Sequence, residues 1–231
     1  MKRLDVLLFE KGLFPTREKA KEAICSGLIS VNGKIITKAG EKVDENIKID
    51  VVGETLKYVS RAGLKLEKAS KEFKINFKAK VVLEVGASTG GFSDFALQYG
   101  AKKVYAVDVG TNQLHQKLKD NVKVVNLEKT DFRTLPPIKD KIDIAVCDCS
   151  FISLKLLIPQ FENMLSTNTP LITLIKPQFE CGIKIAKKTK GVIKDANLQE
   201  KIKADIISAF ENNHFKLVNV CDSPILGTAG N

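Results

Sequence analysis

Residues 83–110 read LEVGASTGGFSDFALQYGAKKVYAVDVG, and the order of residue types in this stretch decides the fold. An apolar strand runs into Gly86, a turn carries Gly90 and Gly91, and a helix-length segment leads to a second apolar strand. That strand ends in Asp108, seventeen residues beyond Gly91. Glycines at the first turn let a ligand approach the backbone, and an acid closing the second strand can accept hydrogen bonds from ribose hydroxyls. A dinucleotide turn would read GxGxxG. Here Ser88 stands where the second glycine would pack on pyrophosphate, which counts against a dehydrogenase.

Working outward, strands and helices alternate: KVVNLE (123–128), IDIAVCDCS (142–150), a helix over SLKLLIPQFENML (153–165), LITLIKP (171–177), a helix over NLQEKIKADIISAFENN (197–213), and a last strand, FKLVNVCDSPI (215–225). This is the pattern of a parallel sheet with helices on both faces, a Rossmann-like α/β domain. Ligands of such sheets sit beyond the carboxyl ends of the strands. Asp148 and Lys176 both close apolar strands. The run Leu171–Ile175 is expected to be buried on both faces, aiming Lys176 at a fixed point before Pro177. A basic helix, YVSRAGLKLEKASKEF (58–73), precedes the sheet and brings Lys65 to the domain.

Residues 1–58 form a smaller α+β unit, leaving 59–231 for the larger domain. RLDVLLFEKGLF has helical apolar spacing at Leu4, Leu7 and Leu8. PTREKAKEAICSG reads as a second helix, with Thr16 as N-cap and Gly27 as its stop. LISVNGKII is a hairpin, because Asn32-Gly33 can both take positive φ. Arg17 and Lys21, four apart, share a face of the second helix.

The net charge of +10 is unevenly spread. Residues 60–80 carry seven basic and two acidic side chains, and residues 181–194 hold five lysines and no acid. Two basic clusters on an otherwise balanced chain suit a polyanionic partner. No apolar run approaches the ~20 residues that span a bilayer, and Asp5 and Glu10 interrupt the first apolar stretch, so neither membrane nor signal peptide is expected. The expected location is the cytoplasm. Five cysteines without a CxxC pair give no disulfide framework and no zinc site, and no metal is expected. Cys147 and Cys149, flanking Asp148, read as small buried hydrophobes.

Two resemblances sharpen this reading. The N-terminal unit, with its arginine-bearing second helix and VNGK hairpin, resembles the ribosomal S4-type RNA-binding domain. That implies a grip on structured RNA through Arg3, Arg17, Lys21 and Lys34, to which Arg61 is added. The Gly86 turn resembles the E/DxGxxxGG turn of class I S-adenosyl-L-methionine-dependent methyltransferases. It implies Glu84, Gly86, Ser88, Gly90 and Gly91 around the cofactor, with Asp108 at its ribose and Asp131 at its adenine amino group; Asp131 could instead cap a helix. Together, YVSRAGLKL, LEVGASTGGF, DCSFISL, IKPQFE and SPILGTAGN resemble the TlyA (haemolysin A) family of ribosomal RNA 2′-O-methyltransferases, whose catalytic domain is FtsJ-like.

From that resemblance, three members of a Lys-Asp-Lys-Glu tetrad carry over to Lys65, Asp148 and Lys176. The family pattern continues past Gly230-Asn231 with a glutamate two residues on, so the expectation is a C-terminal end short of that carboxylate and of the closing strands. The implied partners are ribosomal RNA or ribosomal subunits. A lysine is charged at neutral pH and becomes a base only where a second ammonium or desolvation favours the neutral amine. Lys176 is expected to be that base, with Asp148 orienting it and Lys65 stabilising alkoxide charge.

Overall fold

The computed structural model describes residues 1–14, 16–25, 27–52, 57–189 and 191–225. Residues 226–231 of the closing motif, and with them the expectation about the terminal carboxylate, lie outside the described residues. The chain divides into two compact units, residues 1–60 and 61–231.

The first unit opens with a two-residue strand β1 (Lys2–Arg3) and helix α1 (Leu4–Glu10), followed by α2 (Arg17–Cys25). The hairpin β2 (Ile29–Val31) and β3 (Lys34–Ile36) turns through Asn32 and Gly33, both at positive φ (49° and 80°), as the sequence requires. Strand β4 (Lys42–Val43) pairs with β1, and β5 (Ile49–Val51) pairs with β2. Leu4, Leu7 and Leu8 of α1 pack with Ala20, Ala23 and Ile24 of α2 and with Ile29 and Val31 to form the core. The β1–β4 ladder is too short to leave a periodic signal in the sequence.

The second unit begins with α3 (Ala62–Glu72) and β6 (Val81–Val85), α4 (Gly91–Gln98), β7 (Lys103–Val107), α5 (Gln116–Lys119) and β8 (Val124–Leu127). A 3₁₀ turn (Phe132–Thr134) leads to β9 (Ile144–Cys147), a second 3₁₀ turn (Leu154–Leu156), α6 (Ile158–Met164) and β10 (Leu171–Thr173). Helices α7 (Pro177–Glu180), α8 (Ile183–Lys188) and α9 (Ala196–Glu211) complete the described elements. The five strands are all parallel, in the order β10-β9-β6-β7-β8. The chain therefore winds outward from β6 to β8 and then crosses back to β9, which sets a switch point between β6 and β9. One face of the sheet packs Leu83, Val85, Tyr105 and Val107 against Leu157, Phe161 and Ile206.

Three expectations need correction. Strand β10 is not buried on both faces: Leu171 to Ile175 are all partly exposed, and among the described residues β10 ends the strand order, with β9 as its neighbour. Residues 215–225 do not form a strand; they pair with no ladder among the described residues and leave Leu217, Val218 and Val220 exposed. The helix over 153–165 is also split, with the 3₁₀ turn first and Pro159 inside the opening turn of α6.

Two glycines fix the first turn. At Gly86 (φ 81°) an added Cβ would lie 2.9 Å from the Cys149 sulfur and 3.0 Å from its Cα, so here it is the neighbouring strand end that needs the close approach. At Gly90 (φ 89°) it would overlap the side chains of Leu118 and Leu114. Gly90→Ala combines a left-handed backbone with that overlap. It should lower the stability of this unit by roughly 1–3 kcal/mol, measured by denaturant unfolding.

Candidate active site

Because every strand of the sheet is parallel, the residues following β6, β7, β8, β9 and β10 share one rim. Gly86, Asp108, Asp131, Asp148 and Lys176 all belong to those strand ends. Asp148 follows four fully buried residues, and its backbone N–H donates to Val85 O at 3.1 Å, which locks it beside the Gly86 turn.

The two predicted lysines converge on it. Lys65 Nζ, from α3, donates to Asp148 Oδ2 at 3.0 Å. Lys176 Nζ stands 2.6 Å from Asp148 Oδ1 and also donates to the Asp148 carbonyl (3.2 Å) and to Ser150 Oγ (2.8 Å). The side chains of all three are less than a fifth exposed. One carboxylate thus faces two ammonium groups through different oxygens, leaving one excess positive charge in a part-buried site. Asp148 Oδ1 is buried and lacks a hydrogen-bonded donor among the described residues despite the 2.6 Å approach of Lys176, whereas its Oδ2 takes one of the three N–H groups on Lys65.

The Gly86 turn is braced through Asp108. Ser88 (φ 48°) donates its N–H to Asp108 Oδ2 at 2.7 Å, and Gly110 N–H donates to Oδ1 at 2.7 Å. Each oxygen of Asp108 keeps a lone pair for one further donor, as two vicinal ribose hydroxyls would supply. The roof over the turn comes from residues 113–118. His115 N–H donates to Thr89 O (3.2 Å), Leu114 and Leu118 cover Gly90, and Lys117 pairs with buried Asp94 at 2.9 Å. Gly91 is the buried first residue of α4.

Glu84 lies elsewhere than on the open side of this turn. It is 2% exposed and accepts hydrogen bonds from the backbone and hydroxyl of Ser93 and from the Phe92 N–H, so it caps α4. Burial pushes its carboxyl up to about 8. Asp131 Oδ1 accepts the Arg133 N–H (3.0 Å), and both its oxygens face the Arg133 guanidinium, which holds its pKa below the ordinary value. The capping geometry is therefore present at Asp131, and an adenine contact would use the remaining lone pairs. Cys147 is fully buried; its contact with Cys149 and its burial raise its thiol pKa.

Several residues at this rim were given no role from the sequence. Glu128, just past β8, accepts the N–H groups of Gln113 (2.5 Å) and Leu114 (2.9 Å), the latter above all holding its carboxyl down at about 2. Glu180 accepts Ser153 Oγ (2.5 Å) and Leu154 N–H (2.9 Å), tying α7 to the loop after Asp148. In that loop Phe151 is 91% exposed at φ 65°, its ring centroid 5.1 Å from that of Phe179. Glu180 and Phe151 lie inside quoted motifs, but only the tertiary contacts give them a task. A hollow of about 440 Å³ lined by Lys102, Lys103, Asp140, Lys141 and Asp143 lies among residues that precede and open the strands, and it contains none of the predicted site residues.

In the first unit, Arg3, Arg17 and Lys21 line one hollow of about 260 Å³, together with Asp5 and Glu18. Lys34, exposed on the hairpin, is not part of its lining, and Arg61 precedes α3 in the second unit. Among the described residues no group of three or more His, Cys, Asp or Glu could hold a metal ion, and no helix is long and apolar enough to cross a membrane.

A buried acid with a raised pKa favours folding while protonated, below its unfolded pKa near 4.3, and loses that advantage as pH climbs through about 8. Wild-type stability relative to Glu84→Gln should therefore fall between about pH 5 and 8, by roughly 1.4 kcal/mol per pH unit at the steepest. Parallel denaturant titrations of the two proteins measure it.

The sequence model of the FtsJ-like methyltransferase family matches residues 58–231, and that of the S4 domain matches residues 2–47. Hemolysin A of Brachyspira hyodysenteriae is 43% identical over 99% of this chain and 96% of its own length. The 16S/23S rRNA (cytidine-2′-O)-methyltransferase TlyA of Mycobacterium tuberculosis is 34% identical over 99% of this chain and 86% of its own. A solved Streptococcus thermophilus structure, provisionally described as a hemolysin, superposes with a TM-score of 0.76 at 40% identity, covering 100% of this chain and 85% of that one. With a family match over the whole parallel-sheet unit and relatives aligned over nearly all of its length, the chain belongs to the FtsJ-like methyltransferase family, in the branch that carries an S4 domain and includes the TlyA and hemolysin A proteins.

Proposed function

We propose that this protein is an S-adenosyl-L-methionine-dependent 2′-O-methyltransferase of ribosomal RNA, acting in the cytoplasm on a cytidine ribose of 16S RNA, with 23S RNA as a second target. The observation that carries the reading is the Lys65–Asp148–Lys176 constellation at the rim that also holds the Gly86 turn. The TlyA relative's name supports the cytidine and the two RNAs. Exposed Lys184, Lys187 and Lys188 on α8, close in sequence to Lys176, add a basic approach for phosphates.

The residues of the first turn fit the cofactor. Asp108 retains acceptor capacity for its ribose, and the exposed Ser88 and Thr89 leave the turn open to it. When bound, S-adenosyl-L-methionine supplies an electrophilic methyl group. The protein's own task is then to position a ribose hydroxyl, take its proton and stabilise the charge that develops on oxygen. Lys176, held by Asp148 and Ser150, takes the proton at Nζ in its neutral form. Lys65 turns its remaining N–H groups to the alkoxide, and Asp148 keeps both lysines in place. Phe151 presents an exposed face on which the target base stacks.

Lys176→Arg should bind cofactor and RNA normally yet lose about 10²–10⁴-fold in methyl transfer, since guanidinium does not deprotonate. Transfer of labelled methyl groups to ribosomal RNA, beside a calorimetric cofactor titration, tests this; near wild-type transfer would remove Lys176 from the role of base. Phe151→Ala should reduce kcat/KM for RNA by about tenfold or more with cofactor affinity unchanged, as expected for the loss of one stacked base.

A further inference from the structure

We propose that Asp5, an acid inside the basic RNA-facing hollow of the first unit, strengthens RNA binding by holding Arg3 and Arg17 in their binding orientation. The inference rests on the reading of that hollow as an RNA contact. Asp5 lies in the first turn of α1 with its side chain 5% exposed. Its Oδ1 accepts Arg3 Nε at 3.0 Å, and its Oδ2 accepts one terminal nitrogen of Arg3 and one of Arg17, each at 3.1 Å. These bonds, those of Arg3 foremost, hold its carboxyl down at about 2, so it is ionised whenever RNA is present.

The two guanidinium groups come from positions fourteen residues apart, Arg3 from β1 and Arg17 from α2, and both side chains are half exposed. A guanidinium has five N–H groups. Asp5 takes two from Arg3 and one from Arg17, leaving three and four for phosphate oxygens. An arginine fixed in advance does not lose its rotamer freedom when RNA arrives, so more of each contact appears as affinity. Lys21 and Glu18 complete the lining, while the hydrogen bonds of Asp5 run to Arg3 and Arg17.

The sign of the effect makes the idea testable. By charge alone, Asp5→Asn removes an anion from a polyanion site and should tighten binding. Prior orientation of the arginines predicts weaker binding. With the full-length protein and a protein-free 16S RNA transcript, Asp5→Asn is expected to raise Kd on the order of tenfold. The slope of log K against log salt should stay at the wild-type value, because no cation is lost, whereas Arg3→Ala and Arg17→Ala should each reduce it by about one. In the Arg3→Ala/Arg17→Ala background, Asp5→Asn should cause no further loss. Unchanged or tighter binding of Asp5→Asn overturns the proposal. So does an equal further loss in the arginine-free background, which would mark Asp5 as important only for folding. If neither arginine variant alters affinity or slope, the hollow is not an RNA contact and the proposal falls with that reading.

Discussion

Two ammonium groups converging on one part-buried carboxylate is the constraint on which the rest of the second unit depends. Like charges brought this close repel unless the anion between them is fixed. Asp148 is fixed because it directly follows β9, whose four residues are buried between β6 and β10. Lys65 reaches it from α3 and Lys176 from the segment after β10, so three separate parts of the chain must hold their places at once. A parallel sheet meets that demand, since all its strands end at one rim and the crossover back to β9 opens a crevice there.

The same rim is braced by backbone amides and carboxylates. Asp108 is held by the N–H groups of Ser88 and Gly110, Glu128 by those of Gln113 and Leu114, and Glu180 by that of Leu154. Glu84 does similar work from inside, capping α4, but in the dry interior its proton is retained to a much higher pH. Solvent access separates Glu128 from Glu84: the carboxylate fed by amides near water is stabilised as an anion, and the one in the core is not. In the first unit Asp5 is also buried, yet two guanidinium groups keep it ionised, so the nature of the partner outweighs burial there.

Much of this was legible from residue order. The Gly86 turn, Asp108 and the alternating strands announce the parallel sheet, and Asn32-Gly33 announces the hairpin. The three tetrad positions were inferred by resemblance, and the fold then brought them together. What was misread has a common cause. Leu171–Ile175 has the composition of an interior strand, and 215–225 reads as a further strand. Whether an apolar run is covered on one side or two depends on its neighbours in the sheet, which local sequence does not contain.

The sequence by itself determined the alternation of strands and helices, the glycines that the turns require and the kinds of side chain available at the strand ends, because these follow from short-range sterics and periodicity. Only the tertiary structure decided which oxygen faces which lysine, that Glu84 caps a helix inside the protein, and that Asp5 joins two arginines. Those outcomes depend on distances between residues up to 83 positions apart and on how much water reaches each charge. Both are properties of packing, which exist only once the chain has folded.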